Sequence, residues 1–236
     1  MEKLKIYKIT VVLLSLCLII ETMLFFFWQA PVHKITKPAP IKGKIAIVLD
    51  DWGYNTHNLK LLEQIRYPLT LSVLPNLPYS RVIVRQAQAK GKEVILHLPM
   101  EPRNKNNLEK NTILVSMDEA TIRGIIKKDL SSLGSLRGIS NHMGSKDTAD
   151  VKTMSIIFKE LKKKGMYFLD SFVSGDSVCQ DLAQKMQIGF AKRDVFIDNQ
   201  PDINYIKARL YELKLKAAAL GQAIGIGHDR KATLEA

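Results

Sequence analysis

Cysteine is nearly absent: Cys17 and Cys179 are the two in 236 residues. That excludes a disulfide scaffold and any cysteine-rich zinc module. Glycine and proline, at 13 and 9, are too few for a collagen-like or low-complexity chain, and 46% hydrophobic residues are too many for a wholly disordered one. No Gly-x-Gly-x-x-Gly follows the first apolar β-branched run, so a dinucleotide fold lacks its phosphate loop. The formal charge is +12, but the lysines are scattered. Neither an RNA-binding aromatic motif nor zinc-finger spacing accompanies them, so nucleic acid is not the expected partner. Histidine is also scarce, with five in the chain.

What is present at the N-terminus is a long apolar run. Lys3, Lys5 and Lys8 precede Ile9–Trp28, in which thirteen residues are Leu, Ile, Val or Phe. Each favours insertion into a bilayer by roughly 0.3–0.6 kcal/mol, and one acid, Glu21, opposes it by about 3 kcal/mol. Insertion wins, and about 20 residues suffice to span. The basic residues predict the N-terminus inside and the remainder extracytoplasmic. Residues 1–30 therefore read as an uncleaved signal-anchor. Secretion after cleavage at Ala30 is the alternative, and Trp28 opposes it by standing where a small residue is wanted. Residues 31–44, with three Pro and four Lys, read as an extended linker whose charge suits anionic headgroups or wall polymers.

Residues 45–236 show neither a repeat nor a second linker and read as one domain. Strands are expected at Lys44–Leu49, Leu69–Val73, Glu93–Leu98, Gly138–Asn141, Met166–Asp170, Phe190–Arg193 and Ala223–Gly227. Helices are expected at Asn58–Ile65, Tyr79–Lys90, from a capping box at Ser116 to Leu133, and at Val151–Lys164, Asp176–Gln187 and Pro201–Leu220. Alternation of this kind implies an α/β fold with a parallel sheet. The domain is too short for a full eight-fold barrel, so a distorted seven-stranded (β/α) barrel is expected, with an open doubly wound sheet as the alternative.

The polar residues gather at the ends of these strands. Asp50-Asp51 ends the first, His97 the third, Asn141-His142 the fourth and Asp170 the fifth. Arg193-Asp194 follows the expected sixth, and His228 ends the last. In a β/α barrel those ends converge on one face. Two adjacent buried carboxylates repel, and a cation relieves them. Asp51, His97 and His142 together offer the donors of a divalent-metal site with open positions. Glu101 could be a fourth ligand or orient an imidazole. Asp170 and Arg193 could form an ion pair under the site. Trp52 could stack on a sugar or pack in the core. Cys179 reads as a buried helix residue, and His57 as loop surface.

Leu49-Asp50-Asp51-Trp52-Gly53, His97-Leu98-Pro99-Met100-Glu101, Gly138 through Ser145, Phe168-Leu169-Asp170-Ser171, Arg193 through Asp198 and Gly225-Ile226-Gly227-His228 resemble, in this order, the divergent polysaccharide deacetylases. These are similar to the NodB-like carbohydrate esterases. The resemblance implies a distorted seven-stranded barrel and a divalent metal, often zinc. It makes Asp50 the base, Asp51 a ligand, His97 the first histidine ligand and His228 the general acid. The second histidine position of those enzymes holds Glu101 here, which leaves His142 as the candidate to complete the set. The implied activity is deacetylation of an N-acetylated cell-envelope glycan. A catalytically inactive glycan- or wall-binding module and a metal-dependent phosphoesterase are the alternatives. The second would want another metal or a phosphate cradle.

Overall fold

The computed structural model describes residues 2–28, 43–104 and 107–236. They fall into two compact units, Met1–Ile41 and Lys42–Ala236. In the first, α1 (Glu2–Trp28) carries the apolar run. Among the described residues no helix is long and apolar enough to cross a membrane. The run continues beyond the described side chains of α1, through Ile9–Val12 and Phe26–Trp28. The Ala30 cleavage position and nearly all of the 31–44 linker lie outside the described residues.

The second unit runs β1 (Lys44–Trp52), α2 (Leu59–Gln64), β2 (Thr70–Val73), α3 (Ser80–Ala89), β3 (Glu93–Met100), α4 (Glu119–Leu133) and β4 (Gly138–Met143). A 3-10 turn (Asp147–Ala149) leads into α5 (Val151–Lys164), β5 (Tyr167–Asp170), α6 (Cys179–Met186) and β6 (Phe190–Lys192). The chain closes with β7 (Val195–Phe196), α7 (Ile203–Leu220), β8 (Gln222–His228) and α8 (Lys231–Glu235). All paired strands are parallel, in the order β6-β5-β4-β3-β2-β1-β8-β7.

This is an eight-stranded half-barrel rather than the seven-stranded barrel expected. The expected sixth strand divides at Arg193. Its N–H donates to the Asp170 carbonyl (3.0 Å), whereas the next N–H, of Asp194, donates to the Ile224 carbonyl (2.8 Å). The chain thus steps from the β5 edge to the β8 edge in two residues. A parallel partner needs a crossover of a dozen residues or more, so β6 and β7 do not pair with each other.

The central strands β2–β5 are buried on both faces, which is why they read as apolar runs rather than alternations. Trp52 is 0% exposed, so it packs in the core and cannot stack on a sugar. Cys179 is also fully buried, and burial pushes its thiol up to about 12, which removes it as a nucleophile. Gly165 ends α5 in the left-handed conformation, as its sequence position implied. The α4 cap differs from the expected box. Asp118, not Ser116, is the N-cap, and its carboxylate accepts from Thr121 N at 2.7 Å. Either residue type can cap, and only Asp118 stands directly before the first helical turn. In α7 the cap is Asp202, so Pro201 precedes the helix instead of opening it.

The α4 assignment is tested by thermal melts. Asp118→Ala should lower Tm by about 2–4 °C and Ser116→Ala by much less. Equal shifts would restore the Ser116 box.

Candidate metal centre

The site starts from an irregularity in β1. Leu49 pairs with Leu71 and Trp52 with Val73, so Asp50 and Asp51 together face the single Ser72. That is a β-bulge, one extra residue on the bulged strand. Successive strand side chains normally point to opposite faces. Here Asp51 takes φ +65°, and both carboxylates line one cavity of about 510 Å³ at the C-terminal ends of the strands. His97, His142, His228 and Arg193 also line it.

Three donors meet beside the bulge. His97 Nε2 lies 3.3 Å from Asp51 Oδ1, and His142 Nδ1 lies 3.0 Å from the same oxygen. One ligand atom from each of Asp51, His97 and His142 lies within 4.8 Å of the others, a spacing that could hold a metal ion. The surroundings fit a cation. Asp50 is 3% exposed and its Oδ1 has no hydrogen-bond partner. His97 Nδ1 lies 2.8 Å from Ser140 Oγ, which is 2.6 Å from Ser72 Oγ. An Nε2 lone pair free for a metal requires the proton on Nδ1, and Ser140 is positioned to accept it. Two imidazoles and a carboxylate suit a divalent transition metal with open positions.

The adjacent carboxylates are pushed in opposite directions. Burial raises Asp50 above the ordinary carboxylate range, His97 opposes this, and the Asp51 charge raises it further. Burial also acts to raise Asp51, but hydrogen bonds from His142 and His97 outweigh it and hold Asp51 well below that range. A pair split in this way separates a proton acceptor from a permanent anion.

His228 completes the cavity. Its Nδ1 and the Asp198 Oδ1 are 2.8 Å apart, its backbone N–H donates to Asp198 Oδ2 (2.8 Å), and Thr233 Oγ1 donates to the same oxygen (2.6 Å). Asp198 is 0% exposed. Gly227 makes room for Thr233, which holds this aspartate, because a Cβ there would come within 2.9 Å of Thr233 Cγ2. Burial disfavours the imidazolium of His228, yet the Asp198 carboxylate outweighs burial and raises its pKa. Nε2 is left 3.9 Å from Asp51 Oδ2.

Residues 47–236 match the family model of the divergent polysaccharide deacetylases. The chain belongs to that family. Over 197 residues it is 36% identical to the uncharacterized protein YibQ of Escherichia coli, with 82% of this chain covered and 61% of the relative. An uncharacterized protein of Haemophilus influenzae is 28% identical over 193 residues, covering 82% of this chain and 69% of that one. The chain thus spans about three fifths of the length of the first relative. A crystal structure of an uncharacterized Agrobacterium tumefaciens protein superposes with TM-score 0.79 at 21% identity, covering 85% of this chain and 82% of that one, and so shares the fold.

Within this divergent deacetylase domain the other expected site residues are placed as follows. His97 lies inside β3, as the expected strand already had it, and His142 lies inside β4, because that strand runs on past Asn141 to Met143. Glu101 is not part of the three-donor group. Its Oε1 accepts from Lys146 Nζ (2.9 Å) and its Oε2 from Val115 N (2.9 Å), so it clamps two loops. Asn141 bridges Met143 O (2.7 Å) and Ser171 N (2.8 Å), shaping the rim. Asp170 accepts from Phe172 N and Ser177 Oγ, while Arg193 donates to the carbonyls of Ser171 and Phe172. The expected ion pair between them is replaced by these separate contacts. Asp194 Oδ2 accepts from Ile224 N (2.7 Å), pinning β7 to β8.

Sequence reasoning passed over Asp198, Ser72 and Ser140. Asp198 stands at the end of the Arg193–Asp198 segment, and its one signal was an acid beside a two-residue strand. Metal titration of the full chain by calorimetry should give one divalent ion per chain. His97→Ala and His142→Ala should each abolish most of that binding, and Glu101→Gln should retain it. Loss of the ion in Glu101→Gln with retention in His142→Ala would transfer the ligand role to Glu101.

Proposed function

We propose that the protein is a metal-dependent deacetylase of an N-acetylated cell-envelope glycan, with Asp51, His97 and His142 holding the metal. The observation that carries this reading is the pairing of two unlike proton-handling groups, Asp50 and the Asp198-backed His228, around one three-donor cluster. Membership of the divergent polysaccharide deacetylase family supports it.

When bound, a divalent ion, here taken as zinc, supplies Lewis acidity that polarises a carbonyl and makes water nucleophilic near neutral pH. The residues of the chain handle the protons. Asp50, raised by burial and with Oδ1 free of partners, accepts the proton of the attacking water. Asp198 fixes the tautomer and direction of His228, whose Nε2 faces the cluster. In its protonated form His228 donates from Nε2 to the amide nitrogen as it leaves. The products are acetate and a free amine on the sugar. With the proton of His97 on Nδ1, facing Ser140 Oγ, its Nε2 would be available to the metal.

The reading also gives the domain a location. The N-terminal segment anchors it in the membrane, with residues 45–236 on the extracytoplasmic side within reach of envelope glycan. After a carbonate wash the full-length species should stay in the membrane pellet at full mass. A released species starting near Pro31 would replace the anchor with a cleaved signal peptide.

Catalysis separates an enzyme from a binding module on the same fold. A positioned acid or base contributes about 10²–10⁴-fold in rate. Asp50→Asn and His228→Ala should each reduce acetate release from N-acetylated oligosaccharides by that order while metal content stays at one per chain. Metal-loaded wild type that binds such glycans and releases no acetate would establish the binding module instead.

A further inference from the structure

Two arginines line the same cavity as the three-donor cluster. Arg193 sits between β6 and β7. Its Nε donates to the Ser171 carbonyl (2.6 Å), its Nη2 donates to the Phe172 carbonyl (2.7 Å), and its guanidinium carbon is 4.9 Å from the centre of the Phe196 ring. These contacts fix the plane of the guanidinium, and all are with neutral groups. Neither hydrogen bond uses Nη1. Among the described residues no carboxylate forms an ion pair with Arg193.

Arg209, on α7, donates through Nε to the Phe196 carbonyl (3.3 Å) and pairs through Nη1 with Glu212. Burial lowers the Arg193 guanidinium from its usual range, Asp170 and Asp50 oppose this, and the Arg209 charge lowers it further. Two cations therefore line one cavity, both against Phe196, and neither Asp170 nor Asp50, whose charges reach Arg193, is in ion-pair contact with it. A half-buried charge left unpaired is unfavourable, and an anion shared between two guanidinium groups offsets both the burial and the repulsion. The planar fork of arginine matches carboxylate and phosphate oxygens two at a time. Asn199 and Tyr205 line the cavity as well and add neutral hydrogen-bonding groups.

We propose that Arg193 and Arg209 form an oxyanion subsite beside the three-donor cluster, so that the cavity takes an N-acyl glycan whose sugars carry a carboxylate or a phosphate. This rests on the deacetylase reading of the same cavity and names its substrate class. The hydrolysed amide would lie against Asp50 and His228, and the charged substituent against the arginines.

The test compares three probes on the metal-loaded full chain: a neutral N-acetylglucosamine oligosaccharide, the same oligosaccharide bearing a carboxylate, and the same bearing a phosphate. Binding is read by calorimetry and turnover by acetate release. Wild type should bind at least one charged probe about 10-fold or more tighter than the neutral one, and the preferred probe identifies the anion. Arg193→Gln and Arg209→Gln should each collapse that ratio, with Arg193→Lys keeping part of it. Arg209→Gln carries the test if loss of the Arg193 contacts to Ser171 and Phe172 prevents folding. Equal binding of neutral and charged probes by wild type overturns the subsite, as does an equal loss for all three probes in both variants. Charge-selective binding that needs the arginines, without acetate release from any probe, upholds the subsite and rejects the deacetylase. Acetate release without charge preference rejects the subsite and upholds the deacetylase.

Discussion

Everything at the site depends on the extra residue that β1 inserts at Asp50-Asp51. A regular strand would send one carboxylate into the cavity and the other to the opposite face. The bulge opposite Ser72 and the left-handed Asp51 send both to the same place. Two neighbouring carboxylates at the end of a buried strand repel, and the fold answers by giving them different surroundings. Asp50 is enclosed and pushed toward its neutral form, while Asp51 is held ionised by two imidazoles. A bound cation would relieve the remaining repulsion and occupy the space the three donors already define.

The rest of the domain holds that arrangement in place. The parallel sheet sets His97 and His142 on neighbouring strands, with Pro99 of β3 in register with His142 of β4. Their rings meet edge to face with centres 5.0 Å apart. Behind His97 the Ser140–Ser72 pair links three strands through hydroxyls. Behind His228 the fully buried Asp198 performs the same service, held in turn by Thr233. Left-handed backbone recurs around the cavity at Asp51, Met143 and Phe172, none of them glycine. Such conformations cost about 1–3 kcal/mol each and persist where the surrounding structure over-determines them. Their position at the ends of β1, β4 and β5 concentrates that strain at the site.

Much of this was legible in the chain. The buried strands stood out as β-branched runs, and three of five histidines fell at their ends, which located the cavity from the chain alone. The α5 stop at Gly165 was equally plain. Other features left weaker marks. A bulge has no compositional signature, so the Asp pair was visible while the way both side chains reach one cavity was not. β7 is two residues long, too short for any periodicity, and its neighbour Asp198 lost its signal with it. Glu101 sits where a ligand might be sought by spacing from His97. In three dimensions its carboxylate answers Lys146 and Val115 N, residues far from it in sequence. Trp52 follows the Asp pair directly, and the return of the chain toward the core after the bulge buries it completely.

The central claim is that Asp51, His97 and His142 form one metal centre beneath the bulge. Anomalous diffraction from crystals of the full chain grown with zinc, recorded on both sides of the zinc absorption edge, tests it most directly. The account predicts a single strong anomalous peak about 2.0–2.2 Å from an Asp51 carboxylate oxygen, His97 Nε2 and His142 Nδ1. A peak ligated by other side chains, or no peak among these three in crystals saturated with the metal, would contradict it.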